Sequence, residues 1–139
     1  LLEQTAHAGL QRLVGDLNAV YRERRSLHAR EFDPSGFEWV DCNDNAQSVL
    51  SYLRMDGDQL TLVVLNFTPV VRHGYRIGVP VAGNYRECIN TDSLYYGGSN
   101  VGNQASVPTS TQAWMGHPHS IALTLPPLAA VILVPDPAQ

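Results

Sequence analysis

Gln59-Leu60-Thr61-Leu62-Val63-Val64-Leu65-Asn66-Phe67-Thr68 decides the fold. An antiparallel strand with one wet face alternates apolar and polar residues. From Leu60 to Leu65 this one is nearly continuous apolar sequence, so it needs cover on both faces. It is the central strand of a sandwich, with a second sheet on one side and a helix or another domain on the other. Gln47 to Met55 supplies a partner strand, joined to it across Asp56-Gly57, a strong hairpin signal.

Downstream the same grammar continues. Strands are expected at Gly74 to Val79, Tyr85 to Asn90, Ala113 to Met115, Ser120 to Leu125 and Leu128 to Val134, punctuated by Pro80, Gly83-Asn84, Pro118 and Pro126-Pro127. Tyr95 to Ser110, rich in Gly, Asn, Ser and Thr, reads as a long loop, and long loops are functional or mobile. Upstream, Asp33-Pro34-Ser35-Gly36 is a turn, Phe37 to Asp41 a short strand and Cys42-Asn43-Asp44-Asn45 a polar loop. About eight short strands with regular turns predict a mainly β chain folded as an antiparallel β-sandwich.

The front of the chain breaks this pattern. Between Thr5 and Arg25, Ala6, Leu10, Leu13, Val14, Leu17, Val20 and Tyr21 recur at spacings of three and four, the stripe of one long amphipathic α-helix ending near Arg24. Arg22, Arg24 and Arg25 fall at its end and complement its negative pole. A lone helix ahead of an all-β domain reads as the last element of a larger fold. The absence of Met at position 1 fits an excised fragment.

Composition excludes several function classes. The 139 residues carry a net charge of −4, and all nine basic residues are Arg. An acidic chain lacks the footprint of a nucleic-acid binder. No apolar run reaches the roughly 18 residues of a membrane span, and no signal peptide is visible, so a cytoplasmic location is expected. Cys42 and Cys88 are too few for a disulfide scaffold and are expected to be reduced structural thiols.

The candidates for chemistry are sparse. Asp41, Asp44, Asp56, Asp58, Glu87 and Asp92 are scattered and read as turn carboxylates rather than a facing glycosidase pair. His117-Pro118-His119 lacks the further ligands of a metal site, so no metal and no cofactor are expected. The aromatics remain. Trp39, alternating with Phe37 and Asp41, is expected in the core. Tyr95 and Tyr96 border the Gly-rich loop, where packing and stacking on a sugar ring are both open, and Trp114 is a further candidate for stacking on sugar.

At this point the chain resembles a known family. The segments are Gly9-Leu10-Gln11-Arg12-Leu13-Val14, Asp16-Leu17-Asn18, Tyr21-Arg22, Gly36-Phe37-Glu38-Trp39-Val40, Asn66-Phe67-Thr68-Pro69, Tyr75-Arg76-Ile77-Gly78-Val79-Pro80, Asn90-Thr91-Asp92, Tyr96-Gly97-Gly98-Ser99 with Gly102-Asn103, and Leu125-Pro126-Pro127-Leu128-Ala129. In order and spacing they resemble the C-terminal end of bacterial 1,4-α-glucan (glycogen) branching enzymes, over nearly the whole chain. The resemblance implies that residues 1–30 are the terminal helix of a truncated (β/α)8 catalytic barrel and residues 31–139 the all-β C-terminal domain of α-amylase relatives. It implies a parent enzyme that cleaves an α-1,4 glucan and re-attaches the piece through an α-1,6 bond, by a retaining double displacement with an Asp nucleophile, a Glu acid/base and a stabilising Asp. None of the three maps onto this chain, so no catalytic residue is assigned and the chain alone is expected to be inactive.

Its expected partner is the parent's catalytic barrel, with α-glucan a further candidate at Tyr95, Tyr96 or Trp114. The alternative is a carbohydrate-binding accessory domain of another α-amylase-family enzyme. Without the barrel, the stripe of Leu10, Leu13, Val14, Leu17 and Val20 is expected to dock back on the sandwich or pair with a second copy.

Overall fold

The computed structural model describes residues 4–136; the outer ends of the two expected domains, 1–3 and 137–139, lie outside the described residues. One helix, α1 (Thr5–Glu23), precedes eight strands: β1 (Phe37–Asp44), β2 (Val49–Asp56), β3 (Gln59–Asn66), β4 (Arg72–Val79), β5 (Asn84–Asn90), β6 (Val107–Pro108), β7 (His119–Leu125) and β8 (Ala129–Pro135). A six-stranded sheet in the order β1-β2-β3-β8-β5-β6 faces a two-stranded sheet, β4-β7, and every pairing is antiparallel. The expected antiparallel sandwich behind one long helix is the observed architecture.

The core lies between the sheets. Leu53, Leu62, Val131 and Leu133 from the large sheet meet Ile77, Val79, Ile121 and Leu123 from the small one, all at most 1% exposed. Tyr85 is fully buried beside them and donates its hydroxyl to the Val81 carbonyl at 3.0 Å; burial pushes its pKa up to about 12.

β3 has the two-sided cover its composition requires. Leu60, Leu62 and Val64 face the core, and Thr61 and Val63 on the opposite face are also buried. The end of α1 accounts for Thr61. Arg24 donates from Nε to Thr61 Oγ1 (3.2 Å) and from Nη2 to the Leu60 carbonyl (2.7 Å), and the hydroxyls of Ser26 and Thr61 meet at 2.7 Å. Arg25 and Arg30 both pair with Asp56 at the hairpin turn, at 2.9 and 3.1 Å. Arg24 and Arg25 therefore clamp the β2–β3 hairpin rather than simply complementing the helix pole; Arg22 alone of the three sits in the last helical turn.

Three local expectations are corrected. Cys42, Asn43 and Asp44 continue β1 instead of forming a loop, because β-bulges after Trp39 and Asp41 absorb the irregular residues while pairing with β2 persists. Ala113 to Met115 is not a strand. Trp114 and His117 exchange backbone hydrogen bonds (3.0 and 2.9 Å) around Met115 and Gly116, whose positive φ of 48° and 79° makes a tight turn. The Tyr95 to Ser110 loop holds a single 3-10 turn at Leu94–Tyr96 and the two-residue strand β6.

Candidate functional site

The functional surfaces are built around α1, because the helix has two different apolar sides. Gly9, Leu13, Asp16 and Val20 recur on one side at spacings of four and three. Gly9 is buried against the 3-10 turn after β5: a Cβ there would come within 2.3 Å of the Tyr96 carbonyl oxygen. Two turns on, the Tyr96 hydroxyl donates to Asp16 Oδ2 at 2.6 Å. Burial raises the tyrosine's pKa first, and the carboxylate beside it raises it further. Arg12 donates to the Tyr95 carbonyl at 3.3 Å and lies over the Tyr95 ring at 5.3 Å from its centroid. The turn itself is held by Asp92, which accepts from Ser99 Oγ (2.6 Å) and from the N–H groups of Ser99 and Val101 (3.0 Å each). Burial alone would raise the Asp92 pKa, but these hydrogen bonds take it below the usual carboxylate range.

The other side of α1 is bare. Leu10 is 58% exposed and Val14 49%, and Tyr21 continues their row. The segment that follows leans on Tyr21, whose hydroxyl donates to Glu31 (3.2 Å) and whose ring packs on His28 at 5.4 Å. It ends at Phe32, which is 99% exposed. The stripe expected to face a missing partner is therefore divided. Leu13, Leu17 and Val20 are half-buried, and Leu10 and Val14 remain open.

A second exposed surface corrects the expectation for Trp39. It is 50% exposed, not in the core, because Val40 is the residue of β1 that points inward. Phe37 stacks on Tyr52 at 5.2 Å, and Trp39 meets Phe37 and Tyr52 edge-on at 5.1 and 5.9 Å. Alternation along β1 had identified the pair Phe37 and Trp39 correctly; only cross-strand register with β2 reveals that their face is the outer one.

The other sequence candidates separate. Tyr95 is 61% exposed and touches Tyr96 edge-on at 5.4 Å; the hydroxyl of Tyr96 is engaged by the helix. Trp114 is 42% exposed and lies beside β4 and β1. His117 does not gather ligands: its Nε2 pairs with Glu38 at 3.3 Å. Among the described residues no three His, Cys, Asp or Glu side chains converge as a metal site, and no helix is long and apolar enough to cross a membrane.

Comparison with known proteins fits this geometry. The family model for the alpha amylase C-terminal all-beta domain matches residues 39–136. The chain belongs to that domain family. It is 53% identical over 133 residues to the 1,4-alpha-glucan branching enzyme GlgB of Nitrosococcus oceani, covering 96% of this chain and 18% of that protein. It is 52% identical over 136 residues to the GlgB of Methylobacillus flagellatus, covering 97% of this chain and 19% of that protein. The chain thus spans about one fifth of the length of these relatives, and aligns with them through α1 as well as through the alpha-amylase C-terminal domain. Among solved structures, the isomaltulose synthase of Erwinia rhapontici superposes with a TM-score of 0.50 at 18% identity, covering 88% of this chain and 17% of that one, a likeness of fold alone.

Proposed function

We propose that this chain is the C-terminal part of a cytoplasmic 1,4-α-glucan branching enzyme, in which α1 is the last helix of the catalytic (β/α)8 barrel and residues 31–139 brace that barrel without contributing a catalytic residue. The observation that carries the reading is the two-sided helix. One side is locked to the β-domain through Gly9, Asp16 and Arg24, while Leu10, Val14 and Phe32 present apolar surface to water. Burying such side chains is worth roughly 1.5–3 kcal/mol each, so a partner on that side gains considerably. In the isolated chain the same stripe is the surface for self-association.

The test compares the double variant Leu10→Gln/Val14→Gln in two contexts. In the full-length enzyme it lowers the melting temperature and the branching rate measured on amylose by iodine absorbance. In the isolated chain at low concentration it leaves the melting temperature unchanged. A full-length variant with wild-type stability and rate removes the bracing role.

Contact with α-glucan is a second reading, favoured by the amount of aromatic surface left open at Trp114, Tyr95 and the Phe37–Trp39–Tyr52 cluster. Aromatic faces suit the C–H faces of sugar rings, since their negative π-surface attracts weakly positive hydrogens. On this reading the domain holds a glucan chain near the barrel, as it would in a related α-amylase-family enzyme.

A further inference from the structure

The eight strands nearly close on themselves. On one side, the two sheets are stitched together: Ser110 and Ser120 exchange backbone hydrogen bonds (2.8 and 3.1 Å), and Asn103 bonds both the N–H and the carbonyl of Thr124 (2.8 and 3.1 Å). On the other side β1 and β4 approach without sharing a backbone hydrogen bond among the described residues. There a cleft of about 910 Å³ opens, lined by Asp41, Asp44, His73, Tyr75, Arg76 and Trp114 among others. That volume lies within the range of small-molecule sites, about 300–1,000 Å³.

Both lips of this seam are irregular, and the irregularity aims side chains. β1 carries bulges between Trp39 and Asp41 and between Asp41 and Asp44, and β4 one between Arg72 and Tyr75, where Gly74 has φ of 62°. The polar groups are held in place. Asp44 accepts from the Tyr75 hydroxyl at 2.5 Å and from the Gln47 N–H at 3.1 Å. Asp41 accepts from the Asn43 N–H at 2.8 Å through one oxygen only. Arg76 donates from Nη1 to Ser120 Oγ at 2.7 Å, leaving its other N–H groups without a protein partner among the described residues.

The turn that carries the aromatic is fixed as well. The Trp114–His117 turn rests on Gly78 of β4, where a Cβ would come within 2.0 Å of the Trp114 carbonyl oxygen. Across the seam it is tied to β1 through His117 and Glu38. An indole beside one carboxylate with a spare acceptor and one guanidinium with spare donors suits a neutral polyol. The acceptor and the donor match vicinal hydroxyls, and the indole covers a C–H face. The two carboxylates disfavour an anion, and the polar lining disfavours an apolar ligand.

We propose that the open seam between β1 and β4 is a binding site for a short α-linked glucan segment, with Trp114 as the sugar platform and Asp41 and Arg76 bonding its hydroxyls. The assignment rests on the reading that the parent enzyme handles α-glucan. It is separate from the Phe37–Trp39–Tyr52 cluster, which does not line the cleft.

The test is a titration of this chain with maltoheptaose to about 10 mM, followed by amide and indole NMR shifts. The expected result is saturable shifts at the Trp114 indole and at the amides of Asp41, Asn43 and Gly74. Trp114→Ala weakens binding about fivefold to tenfold and Trp114→Tyr restores part of it. Asp41→Asn weakens it independently of the aromatic. Shifts centred on Trp39 and Tyr52 overturn the seam site while leaving glucan contact standing. An absence of shifts anywhere overturns both and leaves the bracing role untouched.

Discussion

Two residues at the contact between α1 and the β-domain carry opposite lessons about local preference. Gly9 lies inside a helix, where glycine is about 1 kcal/mol worse than alanine. It is tolerated because the Tyr96 carbonyl occupies the space of its side chain. Gly9→Ala is therefore expected to destabilise the isolated chain, by about 1–3 kcal/mol in urea unfolding, despite its better helix propensity. Tyr96→Phe keeps the ring and removes the bond to Asp16, leaving a half-buried carboxylate short of one donor. A loss of about 1–2 kcal/mol is expected. An unchanged unfolding midpoint in either variant means the helix does not dock through this turn.

Among elements, the β2–β3 hairpin and the end of α1 form one unit. Thr61→Val removes the hydroxyl shared by Arg24 and Ser26 beneath the helix end. Because its partners stay behind, about 1–3 kcal/mol of stability is expected to be lost in thermal unfolding. Asp56 gives this unit a pH dependence. Its hydrogen bonds and charge contacts with Arg25 and Arg30 hold its pKa below the usual value near 3.9. A carboxylate depressed in the folded state contributes stability that is present above its ordinary pKa and is lost as the pH falls through the folded value. The urea midpoints of wild type and Asp56→Asn are thus expected to differ above the ordinary carboxylate range and to converge as the pH falls through the lowered folded-state pKa. A constant gap across that window removes the link to ionisation.

Elements also show what was legible beforehand. β3 was readable because a run of apolar residues too dense for one face implies burial on two. The hairpin was readable because Gly57, with φ of 58°, is a residue type the turn demands. The pattern of β1 was readable but its inward face was not: Phe37 and Trp39 look like core residues until an edge position puts Val40 inside instead. Trp114-Met115 looked like strand because both are apolar. The positive φ of Met115 carries no compositional signal, since it is imposed by the turn on Gly78. The seam was invisible for a related reason. Its residues come from β1, β4 and the turn before β7, and only the way the sheets close brings them together.

At the scale of the whole molecule, the open side of α1 is expected to govern solution behaviour. Sedimentation of the isolated chain is expected to show concentration-dependent association, and Leu10→Gln/Val14→Gln is expected to abolish it. A monomer at every concentration would mean that Leu10, Val14 and Phe32 are too dispersed to act as one surface. The docking of α1 on the β-domain also bears on where this protein can be cut. Residue 30 is the natural severance point by composition, yet a domain excised there leaves behind Arg24 and Ser26 over Thr61, Gly9 against Tyr96 and the partner of the Tyr96 hydroxyl. A graft of this domain onto another enzyme must therefore carry the helix with it, and on the proposed reading of α1 as a barrel helix the recipient must surrender its own equivalent helix in exchange.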